Sequence, residues 1–238
     1  MRGLLPVVVF LCVASAAAAQ SASAQTCPTT STSETTVPAT PPAINDDRMG
    51  KVQRLLSAAP QAAVSLGDSI MQGWPPSLLE KALGVPVVNA GFGMDRTQHT
   101  LWRLDNLHWD GQATKYVLLL VGTNNLGWQP CDVYAGEMTV VEKVHQIFPR
   151  ATVIVTGVLP RGANLSEYDE RIRGINALLR SHAKEHKYLF FDAHDAFLCE
   201  RKSPCRLFTP GLLHLAPEGY DQLTSMLEQF VHEGQPRN

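Results

Sequence analysis

Two kinds of segment alternate along the chain after position 45. Short apolar runs rich in Val, Leu and Ile have the composition of strands buried on both faces. Longer segments between them carry apolar residues at helical spacing. The predicted strands are Ala62–Leu66, Val85–Asn89, Tyr116–Val121, Thr152–Gly157 and Tyr188–Asp192, and the predicted helices are Asp46–Ala58, Pro76–Leu83, Thr97–Leu104, Val133–Phe148, Ser166–His186 and Pro217–His232.

This alternation predicts an α/β fold with a parallel sheet covered by helices on both faces. Five strands fit a flavodoxin-like three-layer α/β/α sandwich around a five-stranded parallel sheet. Ligands bind such sheets at the carboxyl ends of the strands. We therefore expect the chemistry to lie in the residues that directly follow the strands.

The first 24 residues have the organisation of an export signal. Arg2 supplies a positive start, residues 4–13 form an apolar run, and Ala22-Ser23-Ala24 has the A-x-A form of a signal-peptidase site. A retained anchor helix is the alternative, but the run is too short to span a bilayer. The sequence thus predicts a signal peptide at 1–24 and a secreted or periplasmic protein without a stable membrane span.

Residues 25–45 are dominated by Thr, Ser and Pro and have no apolar period. Such a segment buries too little surface to offset its ordering entropy. It is interpreted as a flexible linker or a glycan-bearing stalk. The folded domain is assigned to 46–238, within the size range of one domain.

Four cysteines remain once Cys12 leaves with the signal, and an even number in an exported chain permits two disulfides. Three pairings are possible. A bridge between Cys199 and Cys205 is preferred because the two bracket a short polar loop, and Cys27 with Cys131 would then tie the linker to the domain. A four-cysteine metal site is not expected because no C-x2-C pair exists.

Composition, charge and histidine spacing argue against several classes of protein and site. The chain is 45% hydrophobic and 18% charged with a formal charge of −2, which excludes a disordered chain. No basic excess exists to neutralise phosphates, so nucleic acid is not an expected partner. His182 and His186 are four apart on a predicted helix, but HAKEH lacks the glutamate position of a zinc motif, so no metal site is predicted.

Polar residues with catalytic potential follow three of the strands. Ser69 lies at a strand-to-helix junction, where free N–H groups favour developing negative charge. Gly91 and Asn124 follow the next two strands and could donate to an oxyanion, Gly91 through its backbone. His214, just before the last helix, could take a proton from Ser69. Each residue alone would be equally compatible with an ordinary cap, turn or loop role.

Taken in order, these segments resemble the SGNH, or GDSL, hydrolase superfamily. The chain has GDS after the first strand, NAGFG after the second, GTNN after the third and a late LHL-x-x-x-GY. NAGFGMDRTQHTLWRLDN, VGTNN and GVLPRG resemble the platelet-activating-factor acetylhydrolase-like branch. The resemblance covers about 46–230. It implies that Ser69 is the nucleophile, that His214 is the base, and that the N–H groups of Ser69 and Gly91 with the Asn124 side chain form the oxyanion hole.

One position departs from the family pattern. The last block usually has an aspartate three residues before the histidine, where this chain has Gly211. That acid orients the imidazole and stabilises its protonated form. Three interpretations remain open: a Ser–His dyad, a substitute acid nearby, or weakened catalysis. The candidate substitutes are Asp192, Asp195 and Glu218.

The resemblance implies a serine esterase that hydrolyses carboxylic esters with short, acetyl-type acyl groups and requires no cofactor, and the predicted signal peptide implies that this esterase is exported. A small molecule, lipid or glycan could supply the alcohol part, and Trp74 and Trp128 are candidate substrate-wall residues because they follow the Ser69 and Asn124 blocks. The alternatives are a catalytically weakened binding or surface protein on the same scaffold, motivated by Gly211, and an acyltransferase that uses the same site. The oligomeric state is not predicted.

Overall fold

A computed structural model describes Cys27 and residues 33–42, 46–109, 112–199 and 205–234. The predicted signal peptide at 1–24 lies outside the described residues. The strands are β1 Ala63–Gly67, β2 Val87–Gly91, β3 Tyr116–Leu120, β4 Thr152–Thr156 and β5 Leu189–Phe191, and the helices are α1 Asp46–Ala58, α2 Ser69–Gly73, α3 Pro76–Leu83, α4 Thr97–Asn106, α5 Pro130–Ile147, α6 Asp169–His182 and α7 Pro217–Glu233.

The five strands form one parallel sheet in the order β2-β1-β3-β4-β5, which confirms the predicted α/β fold. In register, Gly67 at the end of β1 lies opposite Gly91 of β2 and Leu120 of β3. The loops after these three adjacent strands therefore emerge side by side at the carboxyl edge.

The strands alternate their side chains between two cores, one on each face of the sheet. On one face, Val117 and Leu119 of β3 pack with apolar residues of α1, α4, α5 and α6. On the other face, Leu118 and Leu120 pack with residues of α2, α3 and α7. Burial of every β3 residue explains why the strand is continuously apolar in the sequence.

Element boundaries differ from the prediction mainly at the ends. The predicted helices at 46–58 and 76–83 match α1 and α3, whereas α5 begins three residues earlier, at Pro130, and α6 begins at Asp169. Proline at a first helical position has no N–H to lose, so it starts α5 without cost. Helix α2 was not predicted, because five residues are too few to show helical periodicity.

Residues 33–42, which the sequence assigns to a flexible linker, pack against the domain instead. We call them the N-terminal strap. Residues 34–36 form a 3-10 turn, the Thr35 side chain is buried, and Ala39 N–H donates to the Gln98 carbonyl at 3.0 Å. The linker prediction is therefore wrong for these ten residues, since backbone hydrogen bonds order them in place of an apolar period.

Both predicted disulfides are present, Cys27–Cys131 and Cys199–Cys205. The first joins the segment before the strap to the first turn of α5. In the part of the chain that the structure describes, no helix is both long and apolar enough to cross a membrane.

Candidate active site

Ser69 is the first residue of α2, directly after β1. The preceding Asp68 caps this helix, because its Oδ1 accepts the Ile70 N–H at 2.8 Å. Across the described residues, no acceptor is bonded to the Ser69 N–H, as is usual in the first turn of a helix. The hydroxyl and a free backbone donor of one residue are therefore presented together at the sheet edge.

His214 lies beside Ser69, although 145 residues separate them in the chain. Its Nε2 is 2.9 Å from Ser69 Oγ. A short antiparallel bridge between Phe208 and Leu215 folds residues 208–215, which include His214, back on themselves. The His214 carbonyl accepts from both the N–H and the Oγ1 of Thr209, at 2.8 and 3.1 Å. The backbone of this turn therefore holds the imidazole against the hydroxyl.

The three candidate substitute acids do not contact His214. Asp192 pairs with Arg180 and accepts the His194 N–H, and Asp195 pairs with Arg173 at 2.8 Å. Glu218 is exposed in the first turn of α7. Within the described ranges, His214 Nδ1 has no hydrogen-bond partner, so none of the three replaces the missing aspartate in this arrangement.

Asn124 lies in the 3-10 turn that follows β3. Its Nδ2 donates to the Asp95 carbonyl at 2.9 Å, which fixes the amide plane while the second amide hydrogen remains available. Asp95 is itself anchored by Arg103 at 3.1 Å, and that guanidinium stacks on the Phe92 ring at 4.0 Å. The loop after β2 and the loop after β3 are thus locked together.

Gly91 does not offer a free donor, contrary to the prediction. Its N–H donates to Asn89 Oδ1 at 2.9 Å, and its carbonyl accepts from Arg48 Nε at 2.6 Å. Glycine is needed here for packing, since a Cβ would lie 2.5 Å from the Gln72 nitrogen of α2. Residue type and position after a strand identified Gly91, but the hydrogen-bond partner of its N–H could not be inferred from them.

The next residues of the same loop lie beside Ser69. A Cβ on Gly93 would be 3.9 Å from Ser69 Cβ, and the Gly93 N–H donates to Gln72 Oε1 at 2.6 Å. Met94 has a φ of 64° and a side chain that is 58% exposed. Its N–H has no acceptor among the described residues, so sequence reasoning missed the residue with the open amide.

The two tryptophans have different surroundings. Trp74 is fully buried in the core between α2 and α7, and its Nε1 donates to Thr224 Oγ1 at 3.0 Å. It therefore cannot line a substrate pocket, and that prediction is wrong. Trp128 is half-buried after the Asn124 turn, with the Arg96 guanidinium 4.9 Å from its ring, so it stays a candidate wall residue.

Buried carboxyl groups lie beneath the site. Burial raises the pKa of Asp68 to about 7 and that of Asp95 to about 6, the latter despite its bond to Arg103. Glu137 of α5 is fully buried below Gly122, and burial, with Asp68 nearby, raises its pKa well above the ordinary value. The carboxyl groups beneath the site therefore stay protonated to a higher pH than exposed carboxyl groups do. Among the described residues, no cluster of three or more His, Cys, Asp or Glu could hold a metal ion.

Comparison with known proteins agrees with this arrangement. Residues 65–222 match the pattern of the GDSL-like Lipase/Acylhydrolase family. Platelet-activating factor acetylhydrolase IB subunit alpha1 of Bos taurus is 33% identical over 174 residues, which cover 71% of this chain and 74% of the relative.

Solved structures share the fold at lower identity. A GDSL-like lipase from Bacteroides thetaiotaomicron superposes with a TM-score of 0.65 at 18% identity, covering 80% of this chain and 98% of that one. A variant of an acetyl-xylooligosaccharide esterase from Geobacillus gives 0.59 at 15%, covering 75% and 97%. The chain therefore belongs to the GDSL-like lipase/acylhydrolase family, in its platelet-activating-factor acetylhydrolase-like branch, and is an ester-hydrolysing enzyme.

Proposed function

We propose that this protein is an exported serine esterase in which Ser69 and His214 act as a dyad on short-acyl esters. The observation that carries the proposal is the 2.9 Å separation between Ser69 Oγ and His214 Nε2. A serine hydroxyl is a weak nucleophile unless a base accepts its proton, and this distance is within hydrogen-bond reach.

In the first step, Ser69 Oγ attacks the ester carbonyl while its proton passes to His214 Nε2. The tetrahedral intermediate collapses, the C–O bond to the alcohol breaks, and His214 protonates the departing alkoxide. Water then attacks the acyl-enzyme, losing a proton to His214, and the acid leaves as Ser69 Oγ regains its proton. No group outside the chain and substrate is consumed except water.

The oxyanion formed in both steps needs donors aimed at it before reaction. We assign three donors to this role: the Ser69 N–H, the free hydrogen of Asn124 Nδ2 and, in place of Gly91, the Met94 N–H, which has no acceptor among the described residues. The bond from Asn124 to the Asp95 carbonyl pre-orients the amide, so little reorganisation is required.

A dyad fits the surroundings of His214. The imidazole is exposed, so water can solvate the protonated ring, and the Thr209 bonds to the His214 carbonyl orient its backbone. These contacts fix the backbone from which the ring projects, but they supply neither the acceptor for Nδ1 nor the negative charge that an aspartate provides in a triad.

Acetyl-type esters are proposed as the substrates. The names of two similar proteins, a platelet-activating factor acetylhydrolase subunit and an acetyl-xylooligosaccharide esterase, both specify acetyl groups. Trp128, half-buried after the Asn124 turn, is the candidate wall residue for the substrate. Export is supported by the A-x-A site at Ala22-Ser23-Ala24 and by the two disulfides, which persist in oxidising compartments.

Hydrolysis of p-nitrophenyl acetate, butyrate and octanoate by the purified protein tests the proposal. We expect the acetate ester to give the highest kcat/KM, and Ser69→Ala to abolish turnover while leaving the fold intact by circular dichroism. Equal rates for the wild type and Ser69→Ala would refute the serine mechanism. Failure of a fluorophosphonate to label Ser69 would favour a binding role, and acyl transfer to an added sugar would favour an acyltransferase.

A further inference from the structure

The N-terminal strap lies against the face of the domain that carries the oxyanion residues. We propose that the strap is a positioning element for the Asn124 turn, acting through Thr97 and Asn125. This inference rests on the proposed function for its kinetic consequence, but the structural coupling can be measured without catalysis.

The strap packs into a groove between α4 and α5, which we call its seat. Thr35 is 0% exposed, and its Oγ1 donates to the Asp132 carbonyl at 2.6 Å. In the seat, α5 has a glycine at 136, where a Cβ would lie 2.8 Å from the Thr35 carbonyl oxygen. The disulfide at Cys131 fastens the preceding segment to the same helix, one residue before Asp132.

A chain of hydrogen bonds leads from the strap to the site. Thr97 Oγ1 donates to the Thr35 carbonyl at 2.9 Å and accepts from Asn125 Nδ2 at 3.2 Å. Asn125 Oδ1 in turn accepts the Thr97 N–H at 3.0 Å. All three residues are buried, and Asn125 is the last residue of the turn that presents Asn124.

Release of the strap would break this series of hydrogen bonds at the one between Thr97 Oγ1 and the Thr35 carbonyl. Thr97 Oγ1 would lose its acceptor at 2.9 Å and would compete with Asn125 Nδ2 for Gln98 Oε1, which lies 3.3 Å from Thr97 Oγ1 and 3.0 Å from Asn125 Nδ2. The Asn125 side chain would therefore be held less rigidly. Asn124 would then sample more orientations, and an oxyanion donor is effective only when it is preorganised. The transition state should suffer more than substrate binding, which lowers kcat while KM changes little.

Two substitutions in the strap with the same added charge test the idea. Thr35→Lys places a long side chain in the buried seat and should expel the strap, whereas Val37→Lys alters a side chain that is 58% exposed. We expect Thr35→Lys to lower kcat for p-nitrophenyl acetate by about 5- to 50-fold with KM nearly constant, a fraction of the loss seen when an oxyanion donor is deleted. Val37→Lys should match the wild type.

Substitutions of Thr97 test the relay itself. Thr97→Ser keeps the hydroxyl and should retain kcat, whereas Thr97→Val removes it at nearly the same volume and should reproduce the kcat loss. Equal loss in both variants would assign Thr97 a packing role and overturn the relay.

Amide hydrogen exchange supplies a readout that does not depend on activity. In Thr35→Lys, both the strap and the turn at 122–125 should exchange faster than in Val37→Lys, while β1 and β3 stay protected. If the strap exchanges freely but the turn remains protected, the proposal is wrong, whatever the kinetics show. If Ser69→Ala retains full activity, the proposed function fails, yet the exchange experiment still decides the coupling.

Discussion

At the scale of single residues, His214 has one ring nitrogen on Ser69 and another with no partner in the described part of the chain. A Cβ on Gly211 would meet no atom within 4 Å, so the backbone at position 211 accepts the start of a side chain. We expect Gly211→Asp to raise kcat by about tenfold or more, because an acid stabilises the imidazolium formed in the transition state. Steady-state kinetics with p-nitrophenyl acetate measure this.

Gly211→Asn is the matched control, being similar in size but uncharged. It should give little or none of the gain. An unchanged or lower rate for Gly211→Asp would mean that the Thr209 turn already orients His214 as well as a carboxylate could.

Trp74 has a structural role, and a substitution at this position can separate that role from catalysis. Trp74→Phe removes the Nε1 bond to Thr224 inside the core, and we expect the free energy of unfolding to fall by about 1–3 kcal/mol. Because the ring faces away from solvent, KM and kcat should not change. Trp128→Ala is the contrasting variant and should raise KM with a small effect on stability; a reversal of the two outcomes would contradict the assignment.

The residues that carry the chemistry could be predicted where their position after a strand decides their location. Ser69 and Asn124 belong to this group, because parallel strands bring their carboxyl ends to one edge. His214 follows no strand directly, and it was proposed as the base from its place before the last helix and from the family resemblance. Gly91 could not be assessed this way, since its N–H partner, Asn89, is visible only in three dimensions. Trp74 failed for a similar reason: α2 is too short for the sequence to show which way its end turns.

At the scale of elements, α5 carries a carboxyl group into the core below the Asn124 turn. Between about pH 4 and pH 7, the folded chain keeps protons on Glu137 and Asp68 that the unfolded chain releases. The raised pKa values therefore make the folded state less stable as pH rises through this range. A buried negative charge without a partner is the physical cause.

Glu137→Gln should weaken this dependence. We expect the free energy of unfolding of the wild type to decrease from about pH 5 to about pH 8 and that of the variant to decrease less. Urea titrations at several pH values provide the measurement. Glu142→Gln, on the exposed side of the same helix, should keep the wild-type slope, and a variant at 137 with an unaltered slope would show that this group does not titrate differently on folding.

The regular elements follow from local pattern, whereas the strap does not. Helices α1 and α3 could be bounded from their periodicity and flanking residues, and β3 from its continuous apolar run. The strap contains Thr, Ser and Pro like many disordered segments, and its order comes from the Thr35 and Ala39 contacts with α4 and α5. The composition of a segment carries no information on whether other parts of the chain form a groove that binds it.

At the scale of the whole molecule, the two disulfides constrain the unfolded chain unequally. Cys27–Cys131 closes a loop with a sequence separation of 104, and Cys199–Cys205 one of 6. On the loop-entropy account, removing the first should cost about 4–5 kcal/mol and the second about 2 kcal/mol. Urea unfolding of Cys27→Ser/Cys131→Ser and Cys199→Ser/Cys205→Ser compares them, and equal losses would contradict the entropic explanation.

The separation of Ser69 and His214 along the chain also determines when the pair can form during synthesis. Ser69, the proposed nucleophile, is made 145 residues before His214, the proposed base, and the bridge from Phe208 to Leu215 that holds His214 forms later still. A nascent chain that ends anywhere before position 214 has a serine but no proton acceptor for it. Hydrolysis by this pair therefore cannot begin before residues 208–215 have been synthesised and have folded against Ser69.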